Sequence, residues 1–166
     1  MLMEALLAKV KGYLPEDKIG IIKEAYRFAE AAHAGQVRLS GQPFIEHPVE
    51  TATFLADLRL DANALAAALL HDVVEDTDRT IDDIRTEFGE DVALLVADMT
   101  DVSKPGDGNR RTRKAKDRAH SGAASARAQT IKLADLISNT MDIVKHDRNF
   151  AKLYTQEKHL LLGVLV

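Results

Sequence analysis

The sequence predicts an all-α helical bundle folded as a single domain, on three observations. Alanine and leucine abound, apolar residues recur at spacings of three and four, and the alternation with β-branched residues that marks strands is nearly absent. The 166 residues suffice for one core that buries roughly 70% of the unfolded surface, so no second domain is needed. No internal repeat or linker interrupts the chain.

A first helix is expected over about Met3 to Lys11, ended by Gly12. Pro15, Glu16 and Asp17 open a second, and Ile19, Ile22, Tyr26, Ala29 and Ala32 or His33 keep one face apolar until Gly35. Gly35 to Pro43 reads as a loop. The next helix runs from about His47 through Leu58, with Pro48 in its first turn, where a missing amide proton costs little. Asp61 looks like the N-cap of an almost wholly apolar helix, Ala62 to Val74, which must be the central one. Thr80 and Asp83 spell a capping box before Ile81, Ile84 and Phe88, Gly89 closes that helix, and Val92 to Met99 supplies another apolar face. Ser103 to Asn109 is the clearest loop, and Arg110 to His120 is either helical or partly mobile. From Ser125 to about Lys145 a long helix carries Ile131, Leu133, Leu136, Ile137, Thr140 and Val144, and Asn149 is expected to cap a last helix through Leu162. Tyr26, Phe28 and Phe54 lie at helical spacing in apolar stretches and read as core.

Composition excludes several classes of function. With no cysteine, disulfides, thiolate metal sites and cysteine nucleophiles are ruled out together, which suits a reducing cytoplasm. The N-terminal stretch has no secretory character, and no apolar run approaches the roughly 20 residues that a membrane span requires, so no membrane partner is expected. The net charge of −4 argues against DNA or RNA binding, but it is unevenly spread: Lys104 to Arg118 is +5 and the remainder −9. Such a run is a solvated face or an attractor for a compact polyanion.

The chemistry gathers at His71-Asp72-Val73-Val74-Glu75-Asp76, where the most apolar helix ends in four ionisable groups. If that stretch stays helical, His71 with Glu75 and Asp72 with Asp76 form i, i+4 pairs about 5–6 Å apart at Cβ. Three carboxylates so crowded repel one another unless a cation or a bound proton offsets them. Taken alone the run is also an ordinary acidic helix end. Two isolated polar positions match what a metal site needs: His47 at a helix start before Pro48, and Asp135 inside the apolar run Ile131 to Ile137, with Asn139 one turn later. By itself His47 would be structural or exposed, and Asp135 a face residue or the partner of a Lys or Arg. His33 reads as a helix-end histidine bonded to the following loop, and His146 and His159 as surface residues.

Read together, His33-Ala34-Gly35-Gln36-Val37-Arg38, Pro43-Phe44-Ile45-Glu46-His47-Pro48, Leu69 to Thr77, and Lys132-Leu133-Ala134-Asp135 with Asn139 resemble the hydrolase domain of the RelA/SpoT family within the HD superfamily, over roughly residues 20 to 160. The length resembles the small stand-alone alarmone hydrolases. The resemblance implies an HD-domain bundle that hydrolyses the guanosine alarmones ppGpp and pppGpp to GDP and GTP, releasing pyrophosphate from the 3′ position. Mn2+ is the implied cofactor, with Zn2+ or Fe2+ also compatible with a two-His, two-Asp set, and no organic cofactor is implied. By the same resemblance His47, His71, Asp72 and Asp135 are the metal ligands, Glu75 and Asp76 position and activate water, Arg38 packs on the guanine, and Asn139 contacts the nucleotide. One of Glu75 and Asp76 is expected to have a raised pKa.

The chain departs from the family pattern at Leu39, where a basic residue is frequent, at Phe44, often tyrosine, and at Met141, often arginine. None of the three touches the metal set, but together they bear on substrate preference, and the basic segment Lys104 to Arg118 is expected to compensate by reaching over the substrate phosphates. Two other functions stay open: a phosphatase on another 2′- or 3′-phosphorylated nucleotide such as NADPH, and an idle nucleotide-binding module.

Overall fold

A computed structural model of the chain describes residues 2–165, which form helices joined by loops, with one isolated antiparallel bridge between Val37 and Pro43. The helices are α1 (Leu2–Val10), α2 (Glu16–Ala32), α3 (Glu46–Asp57), α4 (Ala62–Leu70), α5 (Val73–Asp76), α6 (Ile81–Phe88), α7 (Glu90–Met99), α8 (Arg110–Ala123), α9 (Ala126–His146) and α10 (Arg148–Leu162).

The centre is α4, whose residues are all buried except Asn63. A helix apolar on every side must be enclosed. Its many alanines keep the surface flat, so α2, α3, α7 and α9 can all pack on it. Asp61 caps it as expected, its carboxylate accepting from Ala64 N at 3.0 Å. The capping box of α6 is also present, with Asp83 N donating to Thr80 Oγ1 and Thr80 N to Asp83 Oδ2. Gly89 ends α6 and starts α7 at φ 86°, a left-handed conformation that costs glycine little.

Three expectations need correction. The single helix Ala62 to Val74 is broken after Leu70, and α5 resumes at Val73. The His71 ring supplies the reason: its Nδ1 bonds Ala68 O at 2.6 Å, taking the carbonyl that the Asp72 amide would need for a regular α-turn. Asp147 and not Asn149 caps α10, because its carboxylate accepts from Phe150 N at 3.0 Å. In α9 the buried face is Ala128, Gln129, Ile131, Ala134, Asp135, Leu136 and Ser138, while Leu133, Ile137 and Val144 point outward. Polar residues occupy core positions there, and that displaced the apolar pattern. Arg110 to His120 is fully helical within α8, capped by Asn109. Tyr26, Phe28 and Phe54 pack against the core as expected, and His146 and His159 are exposed.

Candidate metal centre

Three helix ends and one helix face meet beside α4. Residues Phe44 to Glu46 turn into α3 and aim His47 inward from its first turn; the break after α4 presents His71 and Asp72; α9 supplies Asp135 from its buried face. His47, His71 and Asp135 are buried and Asp72 nearly so. The two Nε2 atoms lie 3.3 Å apart. Asp135 Oδ1 is 3.1 Å from His47 Nε2 and 3.3 Å from His71 Nε2, and Asp72 Oδ2 is 3.4 and 3.1 Å from the same atoms.

This donor set fits a cation. One ligand atom from each of His47, His71 and Asp72 lies within 4.8 Å of the others. Ligands held about 2.1 Å from one ion stand roughly 3.0–3.4 Å apart, which is the observed spacing. His71 Nδ1 faces a carbonyl, which has no hydrogen to give, so the ring donates there and its Nε2 lone pair faces the centre. A lone pair set 3.3 Å from another ring nitrogen is unfavourable unless a proton or metal ion lies between them.

The protonation equilibria respond to the same crowding. Burial opposes charge on both rings, yet Asp135 and Asp72 outweigh it and raise both histidines, His71 most. Burial would likewise raise the two aspartates. His71 and His47 hold Asp72 down, and Lys132, whose Nζ is 3.3 Å from Asp135 Oδ2, holds Asp135 down with the help of the two rings.

Glu75 and Asp76 lie at the rim. Asp76 keeps its α-helical bond to Asp72 O at 3.0 Å, so this pair retains its expected spacing, whereas the helix break sets His71 outside α5. Glu75 turns toward the loop after α7, accepting a hydrogen bond from Asp101 N. Desolvation of its carboxyl and the nearby Asp101 push it up to about 7, and desolvation with Asp72 raises Asp76 as well. Glu75 and Asp76 line a cavity of about 420 Å³ together with Asp101, Arg110, Arg113 and Lys114.

The basic segment divides there. Arg110 is bound to Glu157 and Lys116 to Asp107, while Arg113 Nε is buried with no hydrogen-bond partner among the described residues. Asp117, buried, accepts from Val102 N, Ser103 N and Ser103 Oγ at 2.8–3.0 Å and so ties the loop to α8. His33 bonds Gln36 Oε1 at 3.0 Å, as expected of a helix-end histidine, and Gln36 Nε2 reaches Asp76 O at 3.1 Å.

Asn139 Nδ2 donates to Asp135 Oδ1 at 2.7 Å. The Arg38 side chain, only 7% exposed, lies between Glu50 (3.0 Å) and Asp142 (3.4 Å). Arg38 also lines a cavity of about 310 Å³ with Phe54, Ser138 and Met141. Sequence reasoning missed Glu50, Ser138 and the counter-charge Lys132. Their signal was spacing: Glu50 follows His47 by three residues, Ser138 follows Asp135 by three, and Lys132 precedes it by three, which puts each on a ligand's helix face.

A model of the HD domain matches residues 25–159. The chain belongs to the HD-domain family. Among curated proteins this HD domain is 48% identical over 103 residues to the bifunctional (p)ppGpp synthase/hydrolase SpoT of Escherichia coli, a match covering 62% of this chain and 15% of SpoT. It is 39% identical over 151 residues to a guanosine-3′,5′-bis(diphosphate) 3′-pyrophosphohydrolase of Spiroplasma citri, covering 87% of this chain and 20% of that one. The chain thus spans a fifth or less of these curated relatives. A solved structure described as a metazoan ortholog of SpoT that hydrolyzes ppGpp superposes with a TM-score of 0.79 at 30% identity, covering 92% of this chain and 87% of that one. No helix among the described residues is long and apolar enough to cross a membrane.

Proposed function

We propose that this HD domain is a metal-dependent hydrolase of ppGpp and pppGpp, releasing pyrophosphate from the 3′ position to leave GDP or GTP. The observation that carries the reading is the meeting of the His47, His71, Asp72 and Asp135 donor atoms at 3.1–3.4 Å, with Glu75 and Asp76 at the rim. The relatives' activities and the metazoan structure, which matches nearly end to end, support the choice of substrate. The reading treats the chain as one HD unit acting in the cytoplasm on a small nucleotide, without DNA or RNA.

His47, His71, Asp72 and Asp135 would hold the ion, for which Mn2+ is our assignment among the divalent metals that accept mixed nitrogen and oxygen ligands. When bound, such an ion polarises a phosphoryl oxygen and lowers the pKa of a coordinated water. Glu75, raised to about 7, is the better placed proton acceptor near neutrality. The Asp101 amide fixes its carboxyl, and Gln36 braces Asp76 through its backbone carbonyl. Arg113 and Lys114, across the same cavity, would neutralise the 3′ phosphates. Asn139 holds Asp135 and would contact the nucleotide. Arg38 would serve the guanine from the wall of the second cavity: its N–H edge is committed to Glu50, Asp142 and Ser138, but stacking on a base uses the guanidinium face.

The test is to strip the protein of metal, restore Mn2+, and identify products from ppGpp and NADPH separately. Pyrophosphate and GDP support the reading. Inorganic phosphate and NADH as the main products would replace it with the 2′-phosphatase, and binding without turnover would reduce the domain to an idle module.

A further inference from the structure

Behind His47, on the side away from the other donor atoms, a second chain of contacts joins residues from three segments. His47 Nδ1 lies 2.8 Å from Ser138 Oγ, Ser138 Oγ lies 2.7 Å from Glu50 Oε2, and Arg38 Nη1 lies 3.0 Å from the same Glu50 oxygen and 3.3 Å from Ser138 Oγ. His47 and Ser138 are each no more than 2% exposed.

The direction of each bond follows from proton counting. An ionised carboxylate has no hydrogen to give, so the Ser138 hydroxyl must donate its only proton to Glu50. Arg38, which has donors alone, donates to Glu50 and fills one lone pair of Ser138 Oγ. The other lone pair must then accept from His47 Nδ1–H. With the proton on Nδ1, the neutral ring has its lone pair on Nε2, facing His71, Asp72 and Asp135.

We infer that Glu50 and Ser138 are positioning residues which, through this relay, set the tautomer of His47 and thereby the affinity of the centre for a divalent cation. The inference rests on reading that centre as a metal site. It assigns Arg38 a use besides any contact with the base, as the cation that pairs with Glu50 and holds it in place. His71 reaches the same tautomer by a shorter route, through Ala68 O. The two rings are thus poised by different means, and only that of His47 depends on side chains that can be substituted.

Glu50→Gln discriminates because it preserves shape. The glutamine amide can donate to Ser138, freeing the hydroxyl to donate to Nδ1, which moves the ring proton to Nε2 and points it at the metal position. Mn2+ and Zn2+ affinities are measured by competition with a chelator for the parent chain, Glu50→Gln, Ser138→Ala, the double variant and Asp142→Asn. Glu50→Gln and Ser138→Ala should each weaken binding by roughly 10- to 100-fold. The double variant should be no weaker than the poorer single one, since both break one relay. Asp142→Asn, which takes the other carboxylate from Arg38, should bind as the parent does. In the metal-free protein at alkaline pH, two-bond 1H–15N spectra should show the His47 proton on Nδ1 in the parent and on Nε2 or both nitrogens in the variants, which a merely structural role would not produce. Parent-like affinity in Glu50→Gln, or fully additive losses in the double variant, overturns the relay. A parent chain that binds neither ion overturns the metal reading and the relay with it.

Discussion

Lys132 Nζ lies 3.3 Å from Asp135 Oδ2, one turn away on α9, and the two side chains are only 17% and 6% exposed. A fixed cation therefore stands behind the carboxylate whose other oxygen faces the histidine rings. Burial alone would discharge Lys132, but Asp135, Asp101, Glu75 and Asp72 keep it protonated. Lys132→Met removes that counter-charge and leaves Asp135 buried and less well compensated. The metal-free variant should lose about 3 kcal/mol of unfolding free energy. A divalent cation should restore more stability to the variant than to the parent, because it supplies the missing positive charge; for scale, saturation at 100 times Kd contributes about 2.7 kcal/mol. Urea denaturation with and without Mn2+ measures both, and an equal or smaller metal-induced gain in the variant would refute the counter-charge role.

The contrast between α4 and α9 shows which parts of this molecule were legible in its sequence. The burial of α4 could be read from Ala62 to Leu70 because only Asn63, in its first turn, is polar, and the caps at Asp61 and Thr80 could be read because capping is local chemistry. Along α9 the buried face holds Gln129, Asp135 and Ser138, and outward Leu133 and Ile137 resemble core, so hydropathy pointed the wrong way. The break after Leu70 was equally hidden, since it depends on the His71 ring taking a backbone acceptor. For the candidate site, side chains were nameable from their motifs. The partners behind them were not, because Glu50, Ser138 and Lys132 matter only through contacts that spacing permits but does not require.

Glu75 should show inverted pH behaviour in stability. Its carboxyl, desolvated and close to Asp101, is raised from the ordinary 4.5 to about 7 in the folded chain. Between those values the native state holds a proton that the unfolded state has released, so stability must fall as pH rises through this window. Glu75→Gln removes the penalty. The variant should unfold at a higher temperature than the metal-free parent above pH 7, and the difference should close below about pH 4.5. Thermal melts across that range check the sign. Added divalent cation should pull the Glu75 titration downward, which the 13C shift of its carboxyl reports.

Asp117, itself part of the cavity wall, should control the loop that borders the phosphate cavity. Its buried carboxylate receives three hydrogen bonds from Val102 and Ser103. Asp117→Asn can replace at most part of this set, because the amide nitrogen donates where an acceptor is needed. A loss of about 2 kcal/mol in stability is expected, the scale of hydrogen bonds to a charged group. Hydrogen exchange should speed up at the amides of Val102 and Ser103 before it does in α4. Uniform acceleration across both segments would mean that Asp117 supports the whole bundle and not the loop.

Arg113 offers the sharpest test of how the substrate lies. Its Nε is buried without a hydrogen-bond partner among the described residues, beside the cavity that Glu75 and Asp76 share with Lys114. A buried guanidinium donor left unpaired is costly, and a phosphate oxygen would satisfy it. If the 3′ diphosphate occupies this cavity, Arg113→Met should lower kcat/KM for ppGpp by about 30-fold, equivalent to about 2 kcal/mol. GDP has no 3′ phosphate, so its strength as a competitive inhibitor should hardly change. The comparison matters because loss of a general cationic field would weaken both nucleotides together. An equal loss for GDP and ppGpp would show that Arg113 does not read the 3′ diphosphate and would overturn this placement of the nucleotide.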